Sequence, residues 1–224
     1  MKAAKLILSI ISILIFHVSG CVESEDFEKG SEDLIDAQEI LAADSRIGLS
    51  TNVQYSDINL TGDEIASLQF IREEEKLARD VYIYLYDEWG LMPFKNISKS
   101  EQIHMDAILV LLNRYQIEDP VKDNDYGVFE NQELQELYNH LIDEGSMGVI
   151  EALTVGALIE ETDINDIQII LDNKITKSDL STVLNNLQNG SMNHLKAFTR
   201  NLLKYNIDYE PEILDIDFYK QIID

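Results

Sequence analysis

Apolar positions recur in steps of three and four along four long stretches of the chain, the spacing by which an α-helix gathers one buried stripe. The first stripe reads Leu68, Ile71, Glu75, Ala78, Tyr82, Leu85, Trp89, and the second Phe94, Ile97, Glu101, His104, Ile108, Leu111, Tyr115. The third reads Val149, Leu153, Gly156, Glu160, Asp163, Ile167, Ile170, and the fourth Leu180, Leu184, Leu187, Ser191, His194, Phe198. Thr61 and Glu64, three apart, form a capping-box signature that opens the first helix, and Gly90 and Pro93 end it. The second helix is expected over about 97–115, the third over 147–171 and the fourth over 178–206, stopping before Pro211. A loop with Pro120 and Gly127 and a short helix over 131–144 join the second to the third. The pattern predicts an all-α fold, a four-helix bundle whose one crossover connection carries a short extra helix.

The first and last segments read differently. Lys2 and Lys5 precede an apolar run over 6–16, too short to span a bilayer comfortably and suited to a signal peptide. Val18, Ser19 and Gly20 then lead to Cys21, the one cysteine of the chain. Small residues before a lone cysteine resemble the lipobox of prokaryotic lipoproteins, so Cys21 is the expected lipidation point and the new N-terminus after cleavage. The division expected is a signal peptide over 1–20, an acidic tether over 21–60, the helical domain over 61–212 and a C-terminal tail over 213–224. The protein is thus expected outside the cytoplasm, on the cell membrane by its lipid.

Charge narrows the partners. The chain carries 17 Lys and Arg against 42 Asp and Glu, a net charge of -25. Removal of the first 20 residues takes away Lys2 and Lys5 and no acid, leaving 15 bases against 42 acids, or −27. Such a surface repels nucleic acid and either keeps the protein soluble in salt or draws cations.

The chemistry lies in the polar residues on the apolar stripes. Burying an ionised carboxylate costs about several kcal/mol even after relaxation, and neighbouring carboxylates repel one another. No Lys or Arg stands on the four stripes, whereas His104 and His194 do. Four carboxylates with two imidazoles make a ligand set for iron or manganese in a helix bundle, one ion or two, with zinc also compatible. Alternatives stay open on the spacing alone. Glu74 lies on a second apolar stripe with Phe70, Leu77, Val81 and Tyr84, and Glu73, Glu74 and Glu75 together resemble a surface charge run. Glu161 competes with Glu160, and Ser98 with Glu101 reads as another capping box that would leave Glu101 in solvent. His140 falls off the stripes and reads as surface.

Four ordered segments then resemble a known family. They are 72–82 (Arg-Glu-Glu-Glu-Lys-Leu-Ala-Arg-Asp-Val-Tyr), 100–105 (Ser-Glu-Gln-Ile-His-Met), 156–164 (Gly-Ala-Leu-Ile-Glu-Glu-Thr-Asp-Ile) and 191–198 (Ser-Met-Asn-His-Leu-Lys-Ala-Phe). Over about 60–212 the chain resembles the prokaryotic domain of unknown function 2202, a family placed in the ferritin-like superfamily. The resemblance implies a fold and a metal site rather than a reaction. Ferritins and rubrerythrins carry Glu-x-x-Ala-x-x-x-Tyr on their first helix, which Glu75, Ala78 and Tyr82 match in favour of Glu75 over Glu74. Glu101 with His104 matches the second-helix motif, Glu160 the third-helix carboxylate and His194 the fourth-helix histidine. Ser191 stands where a glutamate is expected. Either Asp163 supplies the missing oxygen, or a single metal is held. Tyr82 and Ser191 are expected beside the ligands, orienting them by hydrogen bonds.

Two functions are consistent with this. One is a redox centre acting on oxygen, peroxide or ferrous ion, with electrons from a separate donor because the chain has no Cys-x-x-Cys pair. The other is a non-catalytic metal-binding or partner-binding surface lipoprotein. A homodimer is left open.

Overall fold

The computed structural model describes residues 59–224; the signal segment, Cys21 and the tether up to residue 58 lie outside the described residues. Among the described residues there are six helices and no strand: α1 (Gly62–Trp89), α2 (Met92–Tyr115), α3 (Gln132–Gly145), α4 (Val149–Asn173), α5 (Ser178–Lys204) and α6 (Ile216–Ile223). The long helices α1, α2, α4 and α5 form a helical bundle in which α1 packs chiefly along α2 and α4 along α5. The short α3 lies in the connection from α2 to α4 and packs on both α1 and α4.

Local chemistry sets the helix ends. The Glu64 backbone N–H donates to Thr61 Oγ1 at 3.2 Å while Glu64 Oε2 accepts from the Thr61 N–H at 2.8 Å, so the capping box is formed. Gly90 ends α1 in the left-handed conformation at φ 68°, where a side chain would be strained. Pro93 does not merely stop α1. It sits in the first turn of α2, where a missing N–H costs nothing, and α2 therefore starts five residues earlier than 97. That shift moves Glu101 well inside the helix. Ser98 makes no cap; its hydroxyl donates to the Lys95 carbonyl at 3.1 Å.

The crossover is pinned to the outer face of α1. Glu73 Oε1 accepts the N–H groups of Glu130 and Asn131 at 2.7 and 3.2 Å, next to the start of α3. Lys76 pairs with Asp80 at 2.6 Å and donates to the Asp125 carbonyl, and Arg72 pairs with Asp119 at 3.0 Å. Residues 213–224, expected as a tail, contain α6, whose Tyr219 and Ile222 are buried against the bundle.

The core is divided. One apolar cluster gathers Leu77, Tyr82, Leu85, Phe94, Leu153, Phe198 and their neighbours. The other gathers Leu68, Ile71, Ile108, Leu111, Ile167, Leu180, Leu184 and Leu187. Along α1, α2 and α5 the polar residues Glu75, Glu101 with His104, and Ser191 with His194 come between the two clusters; on α4, Glu160 and Asp163 fall among first-cluster residues, just before the second cluster begins at Ile167. The polar residues form one layer across the bundle, sealed above and below.

Candidate metal centre

Each helix delivers its polar residues from interior turns, where the backbone is fully bonded and the side-chain direction is set by packing. Glu75, Glu101, His104, Glu160, Asp163 and His194 are all buried, none more than 6% exposed. Five of them meet as two groups with one member in common, and Asp163 belongs to neither group. Glu75, Glu101 and His104 each offer a ligand atom within 4.8 Å of the others, and so do Glu101, Glu160 and His194. Glu101 divides its two oxygens between the groups: Oε2 lies 2.9 Å from His104 Nδ1 and Oε1 lies 2.9 Å from His194 Nδ1. The two imidazoles stack with centroids 5.5 Å apart.

Close approach here is not the same as hydrogen bonding. His194 Nδ1 and Glu101 Oε1 lie within ion-pair distance, yet both are buried without a hydrogen-bond partner. His194 Nε2, Glu75 Oε1 and Asp163 Oδ1 are likewise buried without a partner. Buried polar atoms are nearly always bonded, so a cluster of orphans demands an explanation. In the first group His104 Nδ1 is hydrogen-bonded to Glu75 Oε2 at 3.2 Å; the unpartnered atoms beside it and in the second group leave donors that a cation between them would satisfy.

Neighbouring groups hold this arrangement. The Tyr82 hydroxyl donates to Glu160 Oε1 at 2.5 Å, and its ring is packed by Phe94 and Phe198. The Ser191 hydroxyl donates to Asp163 Oδ2. Gly190 makes room for His104: a Cβ there would stand 2.7 Å from the ring. A glycine inside the long helix α5 is the sequence signal for that close approach.

Proton affinities show what the layer does without a cation. Burial alone would push both histidines down, but Glu75 and Glu101 hold His104 well above its ordinary value, and Glu101 and Glu160 lift His194 from 6.5 to about 10. Burial opposes the ionisation of Glu101, and the two imidazoliums outweigh it and hold Glu101 below the usual range. Burial raises Glu75 and Glu160, and pushes Asp163 up to about 7. Burial and the neighbouring charges thus favour the protonated forms of the groups around Glu101.

Not every acid lies in this layer. Glu74, one residue from Glu75, is buried on the α4-facing side of α1, where it lines a small cavity with Leu158, Ile159 and Thr162. Glu161 accepts the Tyr209 hydroxyl and the N–H groups of Glu212, Ile213 and Leu214, holding the C-terminal segment. His140 is 44% exposed, 3.9 Å from Glu144. Asp166, one turn past Asp163, is buried and escaped the sequence reading, although the acids at 160, 163 and 166 keep helical spacing.

The family model described as uncharacterized protein domain DUF2202 matches residues 64–224. The chain is 46% identical over 164 residues to uncharacterized protein MJ0754 of Methanocaldococcus jannaschii, covering 73% of this chain and 88% of that protein. It is also similar to the crystal structure of hypothetical protein MJ0754 from Methanococcus jannaschii, with a TM-score of 0.74 and 43% identity over 78% of this chain and 97% of that one.

Proposed function

This chain belongs to the DUF2202 family, and we propose that its bundle is a ferritin-like metalloprotein domain holding two divalent cations, iron or manganese, that share Glu101. The observation that carries the reading is the pair of buried three-residue groups joined by that one carboxylate. Glu75 and His104 complete one position, Glu160 and His194 the other, and Asp163, outside both groups, lies near enough for its charge to raise Glu75. The donors suit the ions: four carboxylates balance two divalent charges, and hard oxygen with imidazole matches iron and manganese. Bound there, the pair supplies a Lewis-acidic and redox-active centre for oxygen, peroxide or ferrous ion.

The chain's own residues set the conditions. Tyr82 fixes the direction of the Glu160 carboxylate, and Ser191 does the same for Asp163. The apolar clusters on either side keep bulk water from the layer. Ser191, in place of a fourth-helix glutamate, leaves Asp163 as the carboxylate nearest to it. We place the domain outside the cytoplasm, tethered to the membrane by lipid on Cys21. The basic, apolar and small-residue order over 1–21 supports this, and no helix among the described residues is long and apolar enough to cross a membrane.

Elemental analysis of protein made under iron- and manganese-replete conditions tests the reading. Wild type is expected to carry two ions per chain, Glu101→Ala to lose both, and His194→Ala to lose at least one. Stoichiometric metal retained by Glu101→Ala contradicts the shared-ligand arrangement. Consumption of peroxide, oxygen or ferrous ion by loaded protein then separates a redox role from simple metal holding.

A further inference from the structure

The bundle is electrically two-sided. α3 and α4 carry acids and no Lys or Arg. α2 and α5 read the other way: Lys95, Lys99, Arg114, Lys196, Arg200 and Lys204 stand against three acids, Glu101, Asp106 and Asp179. Glu101 is buried in the polar layer, Asp179 is paired with Arg114 at 2.8 Å, and Asp106 accepts the Gln102 amide at 2.8 Å. Lys95 donates to the Tyr86 hydroxyl at 3.3 Å and Lys204 to Asn201 Oδ1 at 3.0 Å. Neither these two nor Lys99, Lys196 and Arg200 form an ion pair with an acid among the described residues.

Packing gathers these five bases at one end of the bundle. α2 and α5 lie against each other, and the Phe94 and Phe198 rings, with centroids 5.4 Å apart, set the first turns of α2 beside the last turns of α5. Lys196, Arg200 and Lys204 follow one another at four-residue steps, so they share a side of α5. Lys99, Arg200 and Lys204 are exposed, and Met92 and Leu203 at the same helix ends are 42% and 55% exposed. The result is an unpartnered basic face, edged with apolar side chains, on a chain of net charge -25. At 0.15 M salt charges are screened beyond about 8 Å, so a segment lying on this face senses its local charge rather than the total.

The chain itself supplies a complement. Residues 23–39 hold eight acids against one base, Lys29, with Phe27, Leu34 and Ile35 among them. This stretch joins the bundle at the end opposite the basic cluster. Glu64 in the first turn of α1 accepts the Thr176 N–H and hydroxyl at 2.9 and 2.7 Å, which sets the start of α1 beside the start of α5. From there to Arg200 is about 33 Å along α5 at 1.5 Å per residue. The chain between Glu39 and Asn59 extends to at most about 66 Å, so the acidic stretch can reach the face. We propose that the acidic stretch 23–39 docks on the basic α2–α5 face, its carboxylates meeting Lys99, Arg200 and Lys204. Attachment makes the encounter intramolecular, which offsets the weakness of each exposed ion pair. Docking covers the two helices that carry His104 and His194 and draws Cys21 toward the bundle. It depends neither on the metal centre nor on a lipid at Cys21.

Cys21 is the chain's one thiol, so a nitroxide attached there in the unlipidated mature chain reports where the acidic stretch goes. At about 0.05 M salt, paramagnetic broadening of amide signals is expected over residues 95–103 and 193–204 and not over α3 or α4. It is expected to vanish at about 0.5 M salt, where screening is several-fold shorter in range. Lys99→Glu combined with Arg200→Glu is expected to abolish it, and Lys122→Glu, a base outside the face, to leave it unchanged. A second variant, with Glu28→Gln, Glu32→Gln, Asp33→Asn and Asp36→Asn, leaves every residue of the bundle in place and is also expected to abolish it. Broadening absent from this face in wild type at low salt, or unchanged in both variants, overturns the proposal. Broadening passed from labelled chains to unlabelled, isotope-enriched ones gives the face to a second copy and overturns it as well. So does an unbroadened face that instead binds phosphatidylglycerol vesicles through Lys99 and Arg200, which gives it to the membrane.

Discussion

At the scale of single residues, the centre is a balance of protons and cations. His194 rises from 6.5 to about 10 and Asp163 from 3.8 to about 7 in the folded chain. Both bind a proton more tightly folded than unfolded. Their contribution to stability is complete below the unfolded values and is lost as pH climbs to the folded ones. The window is about 3.8 to 7 for Asp163 and 6.5 to 10 for His194. The thermal midpoint of metal-stripped protein is therefore expected to fall from about pH 6 to about pH 9, while that of metal-loaded protein holds steady because the ions replace the protons. A metal-stripped midpoint that rises over this window contradicts the assignment. Much of the layer was legible from the chain: His104, Glu101 and His194 interrupt apolar stripes, and the structure brings them together. Periodicity left the choice between Glu74 and Glu75 open, since it separates a buried face from an exposed one and α1 buries both; only the Glu-x-x-Ala-x-x-x-Tyr resemblance favoured Glu75. Glu73, Glu74 and Glu75 resemble a surface run, yet each is buried with a separate surrounding: the start of α3, the α4 contact and the polar layer.

At the scale of elements, the acids that do not reach the centre organise the chain around it. Glu161 sits next to Glu160 in sequence but turns away, to collect one hydroxyl and three backbone N–H groups of the segment before α6. Hydrogen bonds to a charged acceptor are worth about 1.5–3 kcal/mol each, and stranded buried donors cost about as much. Glu161→Ala is expected to loosen the C-terminal segment by about 3 kcal/mol or more. Amide exchange should quicken at residues 212–214 and across α6, with metal content unchanged; unaltered exchange there contradicts the clamp. The helix termini show which local signals are decisive. Thr61 and Glu64 are a two-way cap in sequence and in structure. Proline is ambiguous, since Pro93 follows one helix and begins another. α6 was hidden because Pro211 reads as an end, although Asp215 caps the N-terminus of α6, and Tyr219 and Ile222 keep a three-residue step.

For the whole molecule, four helices each give up part of an apolar stripe to place charge in the middle of a core. That sacrifice destabilises a bundle with no cation in it and becomes favourable when ions hold the helices together. The helical class and the long connection followed from the periodicity of the four apolar stripes and the loop signals between the second and third. The division of the core into two apolar clusters needed the structure, because it depends on how the four stripes align in space. The account stands most directly on anomalous diffraction from crystals of the protein loaded with Mn2+, recorded at the manganese edge. It predicts two strong peaks about 3.5–4 Å apart, one beside Glu75 and His104, the other beside Glu160 and His194, with Glu101 touching both. Strong peaks confined to surface carboxylates, with none in the layer between the two apolar clusters, would contradict it.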